Sequence, residues 1–440
     1  MELNYDRKTI LNIAIPIMLG SVMEHFIGLI DIRFLSELSE AELGGAGLGI
    51  HTYFFIFMIC YGLTNGSQIL MSGAFGRLSY PDIGKIFGNT FLLILSFAIL
   101  STLIFVVGVK SLLDPFIQDQ EVLIHIADYL QYRSPGVIFT VLNALFFSYF
   151  VATSKTKFLT IASFIILVSN GLLDYALIFG NWGFPEMGVK GAALASAIAS
   201  GFGSITLLIC AFIVKSNTKY ELFKHFKPSW YWIKAIGKIS TPLIGQFLVA
   251  FSGWTYFFFV IEKMGPTDLA TSMLIRPIYI ILLLPFIAFG NTTSTLVSNL
   301  TGQKRGNEIY KIILSVIKIA IPLALVVILL CQLFPEQIIR ILSNNPVILK
   351  PALASFKIVS TSIIIFSVST VLFNAIVGTG QTKFGLIIEI LTMLFYLYPV
   401  YLFAIQWEFE LKWVWLTEHL YFIVMGVLSW IFLRGKISPK

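Results

Sequence analysis

Apolar residues in this chain neither alternate nor keep to one helical face. They run together in stretches long enough to cross a bilayer, which takes about 20 residues. Twelve such stretches stand out, at about 9–35, 44–72, 84–109, 121–150, 157–180, 189–215, 231–262, 268–299, 310–334, 350–378, 384–406 and 411–434. Short polar segments separate them. The first is longer than a signal-peptide core of about 7–15 residues, so it reads as a membrane helix. Prolines fall inside several stretches (Pro16, Pro135, Pro242, Pro277, Pro285, Pro322, Pro399). Membrane helices tolerate them where neighbours re-satisfy the freed carbonyls. The pattern predicts an all-α polytopic membrane protein with twelve transmembrane helices.

Composition sharpens that reading. The chain is 57% hydrophobic and 12% charged, against roughly 25% charged residues in a soluble domain. There is too little polar surface to coat a soluble globule of this size. The net charge of +7 is dispersed through short loops and forms no patch of the kind nucleic acid binds. Basic residues cluster on alternate loops: Arg7 and Lys8, Arg77 and Lys85, Lys155 and Lys157, Lys215 to Lys227, Lys304 to Lys311, Lys383, and Arg434, Lys436 and Lys440. The opposite loops carry Glu37, Glu40, Glu42, Asp114, Asp119, Glu186, Glu408 and Glu410. The positive-inside rule then places both termini in the cytoplasm of a bacterial inner membrane. Cys60, Cys210 and Cys331 each sit inside an apolar run, which suits buried apolar residues better than a disulfide or zinc cluster.

The chain also repeats itself. Thr153-Ser-Lys-Thr-Lys-Phe158 returns as Thr379-Gly-Gln-Thr-Lys-Phe384, an offset of 226 (379 − 153). Pro16 and Pro242, Tyr53 and Tyr279, Gly76 and Gly302, and Lys85 and Lys311 keep the same offset. One ungapped offset over more than a hundred residues implies two homologous halves. Six helices per half makes them parallel repeats, related by a pseudo-two-fold axis along the membrane normal, with alternating access by rocking. The expected division is a first lobe at 1–215, a basic linker at 216–230 and a second lobe at 231–440.

No phosphate-binding G-x-x-x-x-G-K-[ST] loop, H-E-x-x-H zinc pair or G-x-S-x-G nucleophile elbow is present, so ATP-driven pumping and these enzyme chemistries lack support. An ionisable residue inside a membrane helix costs about 2.5–3.5 kcal/mol on insertion scales, which makes each a functional candidate. The first helix holds Glu24, His25, Asp31 and Arg33; Glu24 and Asp31 are two turns apart and share a face by spacing. The fifth holds Asn170 and Asp174, one turn apart. Two carboxylates and a carboxamide could cage Na⁺, or the carboxylates could share a proton. Burial disfavours a charged carboxyl, and a like-charged neighbour disfavours it further. Blander readings stand beside these: Asp31 paired with Arg33 at an interface, Asp174 at a helix end, Asn170 in helix packing. Gln68 suits a helix break, and Glu389 a further site in the second lobe, with Ser163 at its repeat position. Lys318 and Lys357 fit snorkelling positions. The runs Gly44–Gly49 and Gly62–Gly66 fit close helix packing.

Three segments carry a family resemblance. Ile30-Asp-Ile-Arg-Phe34 is similar to the end of the first helix in the multidrug and toxic compound extrusion (MATE) family. Asn170-Gly-Leu-Leu-Asp-Tyr-Ala-Leu-Ile-Phe-Gly180, followed by Gly183-Phe-Pro-Glu-Met-Gly-Val-Lys-Gly-Ala-Ala-Leu-Ala-Ser196, resembles that family's most recognisable stretch. Gly378-Thr-Gly-Gln-Thr382 resembles its G-x-G-x-T segment. The resemblance covers nearly the whole chain. It implies a twelve-helix exporter driven by Na⁺ or H⁺, with Asp31, Asn170 and Asp174 as the first-lobe cation site. It also implies that Ser196, in place of a threonine, completes that site. Acidic residues found in the second lobe of some members are missing from 245–256 and 360–374. That points to coupling through the first lobe, as in the DinF-like and archaeal-like branches; Glu24 and His25 lie outside the family pattern.

The reading is a secondary antiporter that exports small amphiphilic compounds, organic cations above all, needs no cofactor beyond the coupling ion and works as a monomer among membrane lipids. Two alternatives remain: a flippase for lipid-linked oligosaccharides, for which Arg133, Arg276, Lys318 and Lys357 would supply positive charge, and a membrane protein without a transport role.

Overall fold

A computed structural model describes residues 6–437, with side chains to residue 435. Lys440 and the side chain of Lys436, counted above among the basic residues, lie outside that range. Among the described residues there is no strand. Twelve helices are long and apolar enough to cross a membrane. They are α1 (Arg7–Leu35), α2 (Glu40–Gly76), α3 (Tyr80–Leu113), α4 (Gln120–Ala152), α5 (Lys157–Phe179) and α6 (Val189–Ile213), then α7 (Trp230–Glu262), α8 (Pro266–Gly302), α9 (Gly306–Leu333), α10 (Pro346–Gly378), α11 (Thr382–Gln406) and α12 (Leu411–Gly435). Each coincides with one of the twelve apolar stretches. The chain is a multi-pass membrane protein.

The repeat is visible in the helix boundaries. α2 and α8 begin 226 residues apart (266 − 40) and end 226 apart (302 − 76). α4 and α10 end at Ala152 and Gly378, the same distance on. Two compact units result. One holds Leu19–Ile244, and the other holds the remaining described residues before and after it. The boundaries fall inside α1 and α7, so each of those helices has residues in both units.

Within the unit of Leu19–Ile244, glycines set how closely helices approach. A Cβ on Gly66 would fall 2.9 Å from the Cα of Ser240, and one on Gly62 would fall 3.0 Å from the Cα of Ile244. Both contacts seat the start of α7 on α2, where Ser240 Oγ also donates to the Leu63 carbonyl at 3.2 Å. On the other end of α2, Gly45 backs onto Val122 and His125 of α4, and Gly49 onto Tyr129. The segment after α6 is held the same way. Gly84 and Gly88 of α3 lie against the backbone of Tyr220–His225. Tyr149 OH donates to Ser216 Oγ at 2.6 Å, and Ser229 N to Asn89 Oδ1 at 2.7 Å. Burial and the neighbouring Lys219 hold the ammonium of Lys155, which faces this segment, below its usual value.

Adjacent glycines in α2 test the packing argument. Gly45→Val meets α4, whereas nothing lies within 4 Å of a Cβ on Gly44. Overpacking of this kind costs roughly 1–3 kcal/mol. Gly45→Val is therefore expected to lower the melting temperature of the detergent-solubilised protein by several degrees relative to Gly44→Val, since both substitutions carry the same propensity change.

Candidate functional site

Five helices bring polar side chains to one buried place in the first repeat. The turn between α5 and α6 sets up half of it. α5 ends at Gly180, whose φ of 71° only glycine adopts without strain. The chain then doubles back: Met187 N donates to the Leu177 carbonyl at 2.9 Å and Gly188 N to that of Ile178 at 3.2 Å. A Cβ on Gly191 would fall 2.6 Å from the carbonyl carbon of Leu177. The stretch Gly183–Ser196 is thus a device that lays the start of α6 on the end of α5. Ser196 is thereby brought to the depth of Asn170 and Asp174.

α4 supplies the rest by breaking. Pro135 cannot continue the ladder, and Ser134–Gly136 forms a 3₁₀ turn. A Cβ on Gly136 would fall 2.6 Å from the Cα of Ala197 and 2.9 Å from Arg133 Nη1. Only a bare Cα lets α4 touch α6 there while Arg133 folds inward. Arg133 donates to Ser200 Oγ at 3.3 Å and 3.4 Å and to Thr140 Oγ1 at 3.5 Å. Its guanidinium lies 4.7 Å over the ring of Tyr53, whose hydroxyl donates to Thr140 Oγ1 at 2.8 Å.

Asp31 and Asp174 occupy the centre, with 8% and 0% of their surface exposed. Ser196 Oγ donates to Asp31 Oδ2 at 3.5 Å, and Asn170 Nδ2 to Asp174 Oδ2 at 3.1 Å. The Asp31 carboxyl is within hydrogen-bonding reach of Asp174, Ser196 and Asn170. Arg133 acts on both carboxyls through its charge without forming an ion pair with either. No donor reaches Asp31 Oδ1, Asn170 Oδ1 or Asp174 Oδ1. Native structures seldom leave buried acceptors in this state unless an ion, a water or a proton completes them. With both carboxyls ionised the two acids outweigh the one guanidinium by a single charge, and the cluster offers three bare oxygens to one monovalent cation.

The candidate residues separate accordingly. Asp31, Asn170, Asp174 and Ser196 come together. Arg33 pairs with Glu37 at 2.8 Å, not with Asp31, and Asp174 is fully buried instead of interfacial. Glu24 shares the spacing of Asp31 but is exposed, and His25 beside it is half-buried. Gln68 is buried in α2, apart from this cluster. Glu389 is buried in the other unit, bonded to Tyr421. Arg133, Tyr53, Thr140 and Ser200 are site neighbours the sequence reading did not single out as such. The available signal was an arginine immediately before Ser-Pro-Gly in the middle of an apolar stretch.

A family model described as MatE matches residues 16–176 and, a second time, residues 242–402. The chain belongs to the MatE family. The resemblance read from the motifs therefore holds, and this MatE chain is a transporter, not an enzyme. The two matches repeat at the offset of 226 at both ends (242 − 16 and 402 − 176). Among curated relatives, the chain is 24% identical over 389 residues to a probable multidrug resistance protein NorM of Thermotoga maritima, covering 88% of this chain and 83% of that one. It is 24% identical over 434 residues to the uncharacterized transporter YisQ of Bacillus subtilis, covering 96% and 93%. Among solved structures, a MOP superfamily transporter from Pyrococcus furiosus matches with a TM-score of 0.90 at 19% identity, covering 98% of this chain and 96% of that one. An outward-facing multidrug resistance MATE family transporter matches with a TM-score of 0.90 at 20% identity and the same coverage.

The charge balance yields a test. Arg133→Gln removes the guanidinium and leaves two carboxyls facing each other uncompensated. Cation binding to the purified protein, followed by calorimetry, is expected to tighten by about tenfold, equivalent to about 1.4 kcal/mol, while Arg133→Lys stays near the parent. Weakened binding in Arg133→Gln would show that the guanidinium does not oppose the cation.

Proposed function

We propose that this chain is a cation-coupled antiporter that exports small amphiphilic organic compounds across a bacterial inner membrane, with both termini cytoplasmic, working as a monomer. The coupling cation, Na⁺ or H⁺, binds at Asp31, Asn170, Asp174 and Ser196. The observation that carries this reading is the set of three buried oxygens that no donor reaches, two on the carboxyls of Asp31 and Asp174 and one on Asn170, near one guanidinium. Membership of the MatE family supports transport, and relatives named as multidrug resistance proteins support efflux.

The energetics follow from linkage. A cation shifts the transporter between its states only by as much as its affinity for those states differs. Filling the site removes one net negative charge from a region of low dielectric, so filled and empty forms suit different surroundings. Of the cationic side chains that a lipid-linked oligosaccharide flippase would need for pyrophosphate, Arg133 is committed to Ser200, Thr140 and Tyr53. Arg276 is stacked over Phe258 at 4.9 Å and Trp254 at 5.6 Å. Those engagements favour export of a cation over capture of a diphosphate.

Ethidium efflux from proteoliposomes, with Na⁺ and pH gradients imposed separately, tests the reading and names the ion. Asp31→Asn and Asp174→Asn are each expected to reduce gradient-driven efflux at least tenfold, and Ser196→Ala by a few-fold. Efflux unchanged in both aspartate variants would remove the cation site from the mechanism. No efflux under either gradient would remove the export reading, and flipping of a lipid-linked oligosaccharide would be assayed next.

A further inference from the structure

The offset of 226 carries the first-repeat site onto defined positions of the second. Asp31 maps to Phe257, Tyr53 to Tyr279, Asn170 to Tyr396 and Asp174 to Val400. These lie inside the second family match, where the offset holds. The mapped residues again come together. Phe257 and Tyr396 stack with centroids 6.3 Å apart, and Trp415 packs against Phe257 at 5.0 Å and Tyr279 at 6.1 Å. Aromatic rings thus stand where the first repeat holds oxygens.

Two carboxyls nevertheless enter this aromatic cluster from new positions. Glu389 of α11 and Glu418 of α12 are 3% and 2% exposed. Tyr421 OH donates to Glu389 Oε1 at 2.7 Å, and Tyr396 OH to Glu418 Oε1 at 2.7 Å. Tyr279, bonded to Ser362 Oγ at 2.8 Å, also brings its hydroxyl to Glu418. The rings of Tyr396 and Tyr421 lie 5.5 Å apart. The titratable groups facing these carboxyls are therefore Tyr279 from α8, Tyr396 from α11 and Tyr421 from α12; His419 is turned to Thr361 at 2.8 Å. Among the described residues no lysine or arginine pairs with either carboxyl. A third group points the same way. Thr392 falls between Glu389 and Tyr396 on one stripe of α11, is fully buried, and its hydroxyl has no partner.

The kind of ligand follows from the donors. Phenol hydroxyls aim hydrogens at the carboxyl oxygens, which repels a metal cation and leaves fewer lone pairs for one. A proton needs a single oxygen. Burying an ionised carboxylate without a cation is costly, and a proton removes that cost. We propose that the second repeat carries a proton site of its own, in which Glu389 and Glu418, tied through Tyr421, Tyr396 and Tyr279, take up a proton from water and return it during the transport cycle. The bond formed is one carboxyl O–H, and the bond broken on release is the same one. The proposal rests on the transport reading for its place in a cycle, and on these contacts alone for the proton site.

Two measurements on the full chain keep those layers apart. Infrared difference spectra of the reconstituted protein across a pH series are expected to show a protonated-carboxyl band. That band is lost in Glu389→Gln/Glu418→Gln and retained in Asp31→Asn/Asp174→Asn. Tyr396→Phe and Tyr421→Phe each move its midpoint by about half a unit to one unit. The glutamine double variant should also slow pH-driven ethidium efflux at least tenfold while keeping the parent's melting temperature and its cation binding at Asp31. A spectrum in which these two carboxyls do not change with pH, or unchanged pH-driven efflux in the double variant, overturns the proposal. Absence of efflux in the parent would instead bring down the export reading, and the infrared band would still decide the proton site.

Discussion

Two carboxyl groups and one guanidinium share a buried volume, and with both carboxyls ionised the charges do not cancel. That imbalance governs the first repeat. Left in hydrocarbon, either aspartate would be expensive, so the fold brings everything available to bear on them without neutralising them fully. The Gly180–Gly191 turn lays α6 on α5 and delivers Ser196. The Pro135 break swings Arg133 inward, and Gly136 makes room for it against Ala197. Tyr53 and Thr140 then hold the guanidinium at a distance where it tempers both carboxyls but bonds to neither. A direct Arg–Asp ion pair would take one carboxyl out of the set of oxygens open to a mobile cation.

The second repeat inherits the geometry but not the chemistry. At the positions of Asp31 and Asn170 it has Phe257 and Tyr396, and these touch as rings where the others meet as oxygens. Duplication preserved the lengths of α2 and α8 and the contact between the positions of Asp31 and Asn170, although α10 runs unbroken through the point where α4 breaks. What converges there was free to change. A cluster with three oxygens that no donor reaches suits a monovalent cation; carboxyls already met by phenol hydroxyls suit only the smallest one, the proton.

Most of the fold was legible because the bilayer enforces a simple rule: backbone groups must bond within the segment, so apolar length alone locates the helices. The repeat was legible because both halves keep one register. Asp31, Asn170 and Asp174 stood out as polar atoms in apolar runs. Arg133 was visible as a charge, but its partnership was not, since a helix break at Pro135 decides where it points and the break's direction is a property of packing against Ala197. Glu418 was overlooked near the start of its helix, where an acid reads as interfacial. Its burial depends on Tyr396 from the preceding helix and on Tyr279 from α8, far earlier in the sequence. The spacing of Glu24 and Asp31 fixes a face of α1 but not what covers it: Gly20 and Asp31 on that face are buried, whereas Glu24 between them is exposed.

The charge count also limits which ions can do the work on the proposed reading. A monovalent cation brings the Asp31–Asp174–Arg133 cluster to neutrality, whereas a divalent one would overshoot by the same amount that the empty site falls short. In a medium of low dielectric, where Coulomb energies between nearby charges far exceed their values in water, both errors cost comparably. Only the monovalent case offers a filled state cheaper to bury than the empty one. That difference is the free energy a cation gradient can use, and it exists because Arg133 is one charge and the aspartates are two.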